Sequence, residues 1–379
     1  MLAALLLVGV CGCTSPPKTP GPPWLDGARI LVPGEGVTNL DCRTAICPHN
    51  ENTDLVRFHD AIFLVHRTAR NQILNPNSAL HVYRSDDNGA TFVDVNIIQA
   101  PTDRDIRDPH FYIVGDELFL KALTRLPHTS PRDSDVDTIA VAFRSKDGST
   151  WQSAGTIGPV GWSFWRIQKQ NGVFYSAAYA DGDQRVALFT STDGLIWIQG
   201  ADIYSISEDT PLETELMFLP NQTMVGFVRM DGNDMELLGA VGRLRTKVCI
   251  AQPPYTSFTC PSEIDGERFD GPLGFFWNQR AFMVARRHLQ PDFTKRTALY
   301  ELSGDLGSGM VSAKNWGDLP SAGDTAYAGG VTLDDHRMLL SWYSSSIPRD
   351  EGWPQAILGE TEIWTGVVDF TKLLSTSPQ

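Results

Sequence analysis

The feature that most constrains this chain is a turn signature that returns three times, each time after strand-like sequence. Ser85-Asp86-Asp87-Asn88-Gly89-Ala90-Thr91-Phe92 fits the pattern Ser-x-Asp-x-Gly-x-Thr-Phe, and Ser145-Lys146-Asp147-Gly148-Ser149-Thr150-Trp151 and Ser191-Thr192-Asp193-Gly194-Leu195-Ile196-Trp197 fit a version one residue shorter. Apolar stretches at 80–84, 139–144 and 186–190 precede them. In such a turn the Asp accepts hydrogen bonds from turn N–H groups, the Gly takes positive φ, and the aromatic folds back on the sheet. A period of roughly 50–60 residues built from strands points to a closed repeat architecture.

Six hairpins share a second pattern of apolar strand, short polar turn and apolar strand. They begin at Asp54, Asp108, Arg166, Glu215, Pro272 and Tyr327, and end at Arg67, Lys121, Tyr179, Arg229, Arg286 and Tyr343. Their turns fall at His59-Asp60, Gly115-Asp116, Asn171-Gly172, Pro220-Asn221, Asn278-Gln279 and Asp334-Asp335. The natural reading is an all-β, six-bladed β-propeller with four-stranded antiparallel blades over residues 50–370. Because blades four to six show no recognisable turn signature, five or seven blades stay open. No stretch holds a helical period, which disfavours βαβ folds. The 379 residues, 42% hydrophobic and 10% aromatic, then form one body rather than two domains.

In a propeller the first strands surround the axis, so the starts of the six hairpins converge on one face. The residues there are unusual for strand starts: Asp54, Arg107 and Asp108, Arg166, Glu213 and Glu215, Asp270, and Asp324 with Tyr327. The ends of the second strands add Arg67, Arg125, Tyr179, Arg229, Arg286, Arg287 and Tyr343. The net charge of −14 argues against a nucleic-acid partner. Arginines gathered on one face of an acidic chain predict a local cationic cup for a small anion.

These features resemble the sialidase superfamily, and the three turns look like its Asp-boxes, which by that resemblance lie away from the active face. The family order of Glu, Arg, Arg and Tyr in successive later blades is met by Glu213 or Glu215, Arg229, Arg286 or Arg287, and Tyr327. Arg107-Asp108-Pro109, Trp165-Arg166, Gly271-Pro272 and Asp324-Thr325-Ala326-Tyr327 look like a poorly characterised bacterial branch of sialidase-like proteins. The resemblance covers about residues 50–368 as architecture and order. It implies an exo-glycoside hydrolase with Tyr327 as nucleophile, Glu213 or Glu215 as its partner, and Asp108 or Asp54 as acid/base. Arg67, Arg107, Arg166, Arg229, Arg286, Arg287, Asp270 and Tyr343 would bind the substrate, an anionic or terminal sugar. The family's Arg-Ile-Pro element is absent, and Arg67 or Arg107 would stand in for it.

A phenol with a pKa near 10 is a poor nucleophile, so it needs a Glu to take its proton; being neutral, it is not repelled by a carboxylate on the anomeric carbon. Sialidases stand outside the paired-carboxylate scheme of other glycosidases for this reason. Each residue also has a structural reading: Tyr327 packing at the axis, the arginines in inter-blade salt bridges, Asp108 capping a turn before Pro109. A non-catalytic surface propeller that binds glycans or a protein partner is therefore the alternative function.

The chain opens with an apolar run through Val10-Cys11-Gly12-Cys13, too short to span a bilayer, followed by a Pro-rich stretch. This predicts a signal peptide over 1–12, lipidation of Cys13, and a tether with an N-terminal segment over 13–49. The expected location is the bacterial cell envelope, lipid-anchored at the outer membrane or cell surface, or secreted, with membrane contact through the anchor only. Export makes two local disulfides, Cys42 with Cys47 and Cys249 with Cys260, a better reading than a zinc site, since neither pair has Cys-x2-Cys spacing. The eight His lack metal-ligand spacing, and Asp133-Ser134-Asp135-Val136-Asp137 lacks the Gly and Glu of a calcium loop. Neither a metal nor a cofactor is expected, and the chain is expected to be monomeric.

Overall fold

The computed structural model describes residues 21–101, 103–126, 137–180, 184–206, 210–231, 243–289 and 294–376. The leader, Cys13, the first part of the tether and Asp133 to Val136 lie outside the described residues. Six four-stranded antiparallel sheets form the blades of a propeller. Blades 1 to 5 take their strands in chain order, over residues 49–99, 105–156, 163–205, 211–265 and 270–318. Blade 6 is composite. Its strands Thr325–Thr332, Arg337–Ser345 and Thr361–Asp369 receive Leu25–Val32 as the outer strand. The propeller therefore begins near residue 25 and not at 50, because the ring closes by hydrogen-bonding the start of the chain to its end.

The inner hairpins turn where the dipeptides placed them. Phe58 pairs with Ala61, Val114 with Glu117, Gln170 with Val173 and Trp277 with Arg280, each across a two-residue turn. Asn171 and Gly172 have φ of 51° and 81°, and Asn278 and Gln279 have 44° and 67°. Two successive positive φ values give the primed turn that matches strand twist.

The three signature turns close the third strands of blades 1 to 3, on the face opposite the starts of the first strands. Asp87 Oδ1 accepts from Thr91 N at 2.8 Å, Asp147 Oδ1 from Thr150 N at 2.7 Å and Asp193 Oδ1 from Ile196 N at 2.8 Å. The Ser hydroxyl of each turn donates to the same Asp oxygen and accepts from the turn Gly N–H. Blade 5 carries a related turn that the sequence pattern hid: Asp305 Oδ1 accepts from Gly307 N at 3.0 Å and Ser308 N at 3.3 Å. In blade 4 the disulfide Cys249–Cys260 ties the third strand to the fourth, and Cys42–Cys47 closes the loop before blade 1.

Apolar side chains fill the wedges between adjacent blades, as where Phe63 and Val65 of blade 1 meet Phe111 and Leu120 of blade 2. At the closure, Trp24 packs with Trp316, Trp342 and Phe370 and donates its indole N–H to the Trp316 carbonyl at 3.1 Å. Trp24 is 1% exposed and leads directly into the strand that zips the ring. Trp24→Ala should lower the unfolding free energy by about 3–5 kcal/mol, read from urea midpoints against wild type.

Candidate active site

One device, repeated six times, builds the site. In every blade the first strand holds one extra residue against the second, at the same level. Three residue steps face two between Glu51 and Asp54, Arg107 and His110, Phe164 and Ile167, Pro211 and Thr214, Asp270 and Leu273, and Ala326 and Gly329. The first residues inside these bulges are Asn52, Asp108, Trp165, Leu212, Gly271 and Tyr327. Four of them have positive φ: Asn52 at 51°, Asp108 at 50°, Gly271 at 59° and Tyr327 at 50°. A bulge re-aims a side chain out of the pleat, and left-handed backbone at non-glycine residues is strain of the kind that collects at functional sites.

Tyr327 and Glu213, from blades 6 and 4, meet in a hydrogen bond from the phenol to Glu213 Oε1. Glu213 Oε2 accepts from Arg229 Nη1 at 2.9 Å and from Gly271 N at 2.8 Å. Arg229 Nη1 also reaches the Tyr327 hydroxyl at 3.3 Å, and the Arg286 guanidinium lies 5.3 Å from the Tyr327 ring centroid. A Cβ at position 271 would meet the Tyr327 ring at 2.6 Å, so the ring's place requires glycine there. Burial, reinforced by the Glu213 carboxylate and opposed by Arg229 and Arg286, pushes the phenol well above its usual value. The phenol is therefore neutral at pH 7, with its proton directed at the Glu213 carboxylate.

Tyr327 and Glu213 line a cavity of about 340 Å³ with Asp108, Glu51, Asn52, Gln72, Arg107, Arg125, Tyr179, Thr210 and Leu212. Asp108 is oriented by Asn52, whose Nδ2 donates to Oδ1 at 2.6 Å. The bulge also separates the two glutamates that strand spacing left equivalent. Glu213 faces the cavity, while Glu215 is fully buried beside Arg166 and accepts from Gln168 at 3.2 Å. Burial raises the Glu215 carboxyl to about 8 against the pull of Arg166.

The expected cationic cup is not formed, because each buried arginine is already met by acids. Arg67 is held by Glu51 at 2.5 Å and Asp105 at 2.7 Å, and Arg229 by both oxygens of Asp231 at 2.6 and 2.8 Å. Arg286 is bound to Asp324 at 2.9 Å, Tyr343 at 2.8 Å and the Thr325 carbonyl at 2.8 Å. Arg166 lies on the axis, bonded to Asp54 of blade 1 at 2.7 Å, the Pro272 carbonyl of blade 5 at 3.2 Å and the Ala328 carbonyl of blade 6. Asp54, Glu215, Asp270, Tyr343, Arg67, Arg166, Arg229 and Arg286 thus stand behind the cavity wall rather than in it. Asp270 is bound by Arg268 at 2.8 and 2.9 Å, with Arg229 at 3.2 Å. Arg287 points outward to Asp318 at 3.1 Å. Of the expected groups, Tyr327, Glu213, Asp108 and Arg107 line the cavity, together with Arg125 and Tyr179 at strand ends. Sequence reasoning missed Glu51, Asn52, Gln72 and Arg268; the first two fall just before the point where the hairpin frame began.

Lys121, fully buried in the second strand of blade 2, donates to the Phe164 carbonyl at 2.5 Å and sits 6.0 Å from the Trp165 ring centroid. Burial lowers its ammonium to about 7 despite the nearby Asp108 and Asp54. Among the described residues one cluster has the composition of a metal site, His49, Glu51 and Asp324, with ligand atoms within 4.8 Å of one another. Arg67 on Glu51 and Arg286 on Asp324 already supply positive charge there.

No known family profile matches the chain, and no curated protein matches it in sequence. Solved structures match it as folds. A Dyadobacter fermentans protein of unknown function aligns with a TM-score of 0.66 at 16% identity, over 90% of this chain and 99% of that one. An α-L-arabinofuranosidase of Fusarium graminearum, a point mutant solved with an iminosugar inhibitor, gives 0.61 at 14% identity over 92% and 99%. A sialidase of Streptococcus pneumoniae gives 0.64 at 10% identity over 90% and 70%. The similarity is that of the six-bladed fold.

Two outcomes test this arrangement of charges. Arg166→Met leaves Asp54 buried without its partner and should cost about 3–5 kcal/mol in chemical denaturation. For Glu51, burial raises the carboxyl, but Arg67, His49 and Arg107 outweigh it and hold it at about 2, below its ordinary 4.5. A depressed carboxyl stabilises above the unfolded value and loses that contribution as pH falls from 4.5 towards 2. The contribution is on the order of 3 kcal/mol. Glu51→Gln should therefore be less stable than wild type at pH 7, with the difference shrinking across that acid window.

Proposed function

We propose that the cavity is the active site of an exo-acting glycoside hydrolase that removes a terminal sugar. The observation that carries the reading is the Tyr327–Glu213 hydrogen bond at a cavity wall shared with Asp108. A cavity of about 340 Å³ suits one terminal sugar better than a chain threaded through a groove. The neighbours' activities, an α-L-arabinofuranosidase and a sialidase, agree with glycoside hydrolysis.

In the first step the Tyr327 oxygen attacks the anomeric carbon while its proton passes to Glu213. Asp108 in its acid form protonates the departing glycosidic oxygen as that bond breaks. In the second step Asp108, now a carboxylate, takes a proton from water, and the water oxygen displaces Tyr327, which recovers its proton from Glu213. Arg229 offsets charge on Glu213 and on the phenolate as it forms. In a second reading Glu213 itself attacks and Tyr327 steadies it; the two further donors on Glu213, Arg229 and Gly271 N, favour it. Export and lipid anchoring at Cys13 belong to the same proposal, supported by the two disulfides.

With aryl glycosides as substrates, Asp108→Asn and Glu213→Gln should each lower kcat by about 10²–10⁴-fold while thermal midpoints stay near wild type. Tyr327→Phe should do the same if the phenol attacks. A 2-fluoro glycoside trapped on the enzyme, with the labelled peptide located by mass spectrometry, separates attack by Tyr327 from attack by Glu213. Full activity in all three variants would refute the site, and no turnover of any glycoside would favour a binding propeller.

A further inference from the structure

Resting on the hydrolase reading, the geometry points to a substrate class: the sugar held in the cavity is uncharged. Sites that clamp a carboxylate present guanidinium N–H groups with free donors to the ligand. Here the buried guanidinium groups turn theirs to acids, carbonyls and phenols of the protein itself. Arg229 gives Nε and Nη2 to Asp231 and Nη1 to Glu213 and the Tyr327 hydroxyl. Arg286 gives Nε to the Thr325 carbonyl and Nη2 to Asp324 and Tyr343, with Nη1 facing Asp270 at 3.5 Å. Arg67 gives Nε and Nη2 to Asp105 and Nη1 to Glu51. None of the three lines the cavity, and Arg229 meets it only through Glu213 and Tyr327.

The groups that do form the wall oppose an anion. Its ionisable side chains, apart from the phenols, are three acids, Glu51, Asp108 and Glu213, and two bases, Arg107 and Arg125. Arg107 is itself engaged, with Nε on Asp105 at 2.6 Å and Nη2 on the Gln72 carbonyl at 2.8 Å. Arg125 donates to the Ser163 hydroxyl at 3.2 Å. A carboxylate on the sugar would have to break one of the acid pairs and leave a buried acid uncompensated, or rely on Arg125 while lying against three acids of its own sign. The remaining polar wall, with the carboxylates of Glu51 and Asp108, the amides of Asn52 and Gln72 and the hydroxyl of Tyr179, offers partners for neutral sugar hydroxyls.

The test has two arms on the wild-type protein. The first measures kcat/KM for 4-methylumbelliferyl glycosides of neutral pentoses and hexoses against the N-acetylneuraminide and the glucuronide. At least one neutral glycoside should exceed both acids by about 100-fold or more, since like-charge contact costs several kcal/mol. Equal or faster turnover of either acid overturns the inference while leaving the hydrolase reading intact. The second arm uses saturation-transfer NMR with the matching methyl glycosides and is independent of chemistry. Selective binding of a neutral glycoside supports the inference even if nothing is turned over, which would sink the hydrolase reading alone. Preference for the acids, or binding of neither class, overturns it.

Discussion

The structure turns on Arg166, a guanidinium placed where six sheets converge. It comes from blade 3, ion-pairs with Asp54 of blade 1 and donates to carbonyls of blades 5 and 6, with Glu215 of blade 4 at 3.6 Å. No apolar side chain could satisfy those carbonyls and that carboxylate at once, and a buried polar group left unmatched is costly. A lysine would offer a point charge where a planar set of donors is needed. One side chain thus holds the starts of the inner strands in register across the axis, and the cavity walls are built on those starts.

Around this pin the same rule governs the other buried charges. Arg67 joins blade 1 to Asp105 at the start of blade 2, and Arg286 joins blade 5 to Asp324 at the entry to blade 6. The acidic excess of the chain is therefore not only an exterior property. Much of it is used inside to neutralise arginines that the sequence makes look like ligand-binding groups. The consequence for chemistry is direct, since an arginine bound by carboxylates holds geometry and does not recruit an anion.

The bulges convert this scaffold into a site. A regular strand would place alternate residues on one face and leave Glu213 and Glu215 equivalent. One extra residue per first strand breaks the alternation at the level of the cup and brings Asp108, Glu213 and Tyr327 from three blades to one cavity. The strain at Asp108, Asn52 and Tyr327 is local, held by the hairpins on which they stand.

The sequence by itself determined the four-stranded blade pattern with six as its natural count, the inner-hairpin turns, three of the Asp-centred turns and both disulfides, because each depends on contacts within a few tens of residues, whereas the closure that excludes five or seven blades is seen only in the structure. Turn dipeptides, alternating apolar strands and paired cysteines are local signals, and Tyr327, Glu213 and Asp108 were legible as polar residues at strand starts. Only the tertiary structure decided which glutamate faces the cavity, that Leu25–Val32 completes blade 6, and that the arginines are paired rather than open. Those outcomes rest on a one-residue bulge and on strand and ion-pair partners from distant parts of the chain, and neither the spacing nor the identity of a residue carries that information.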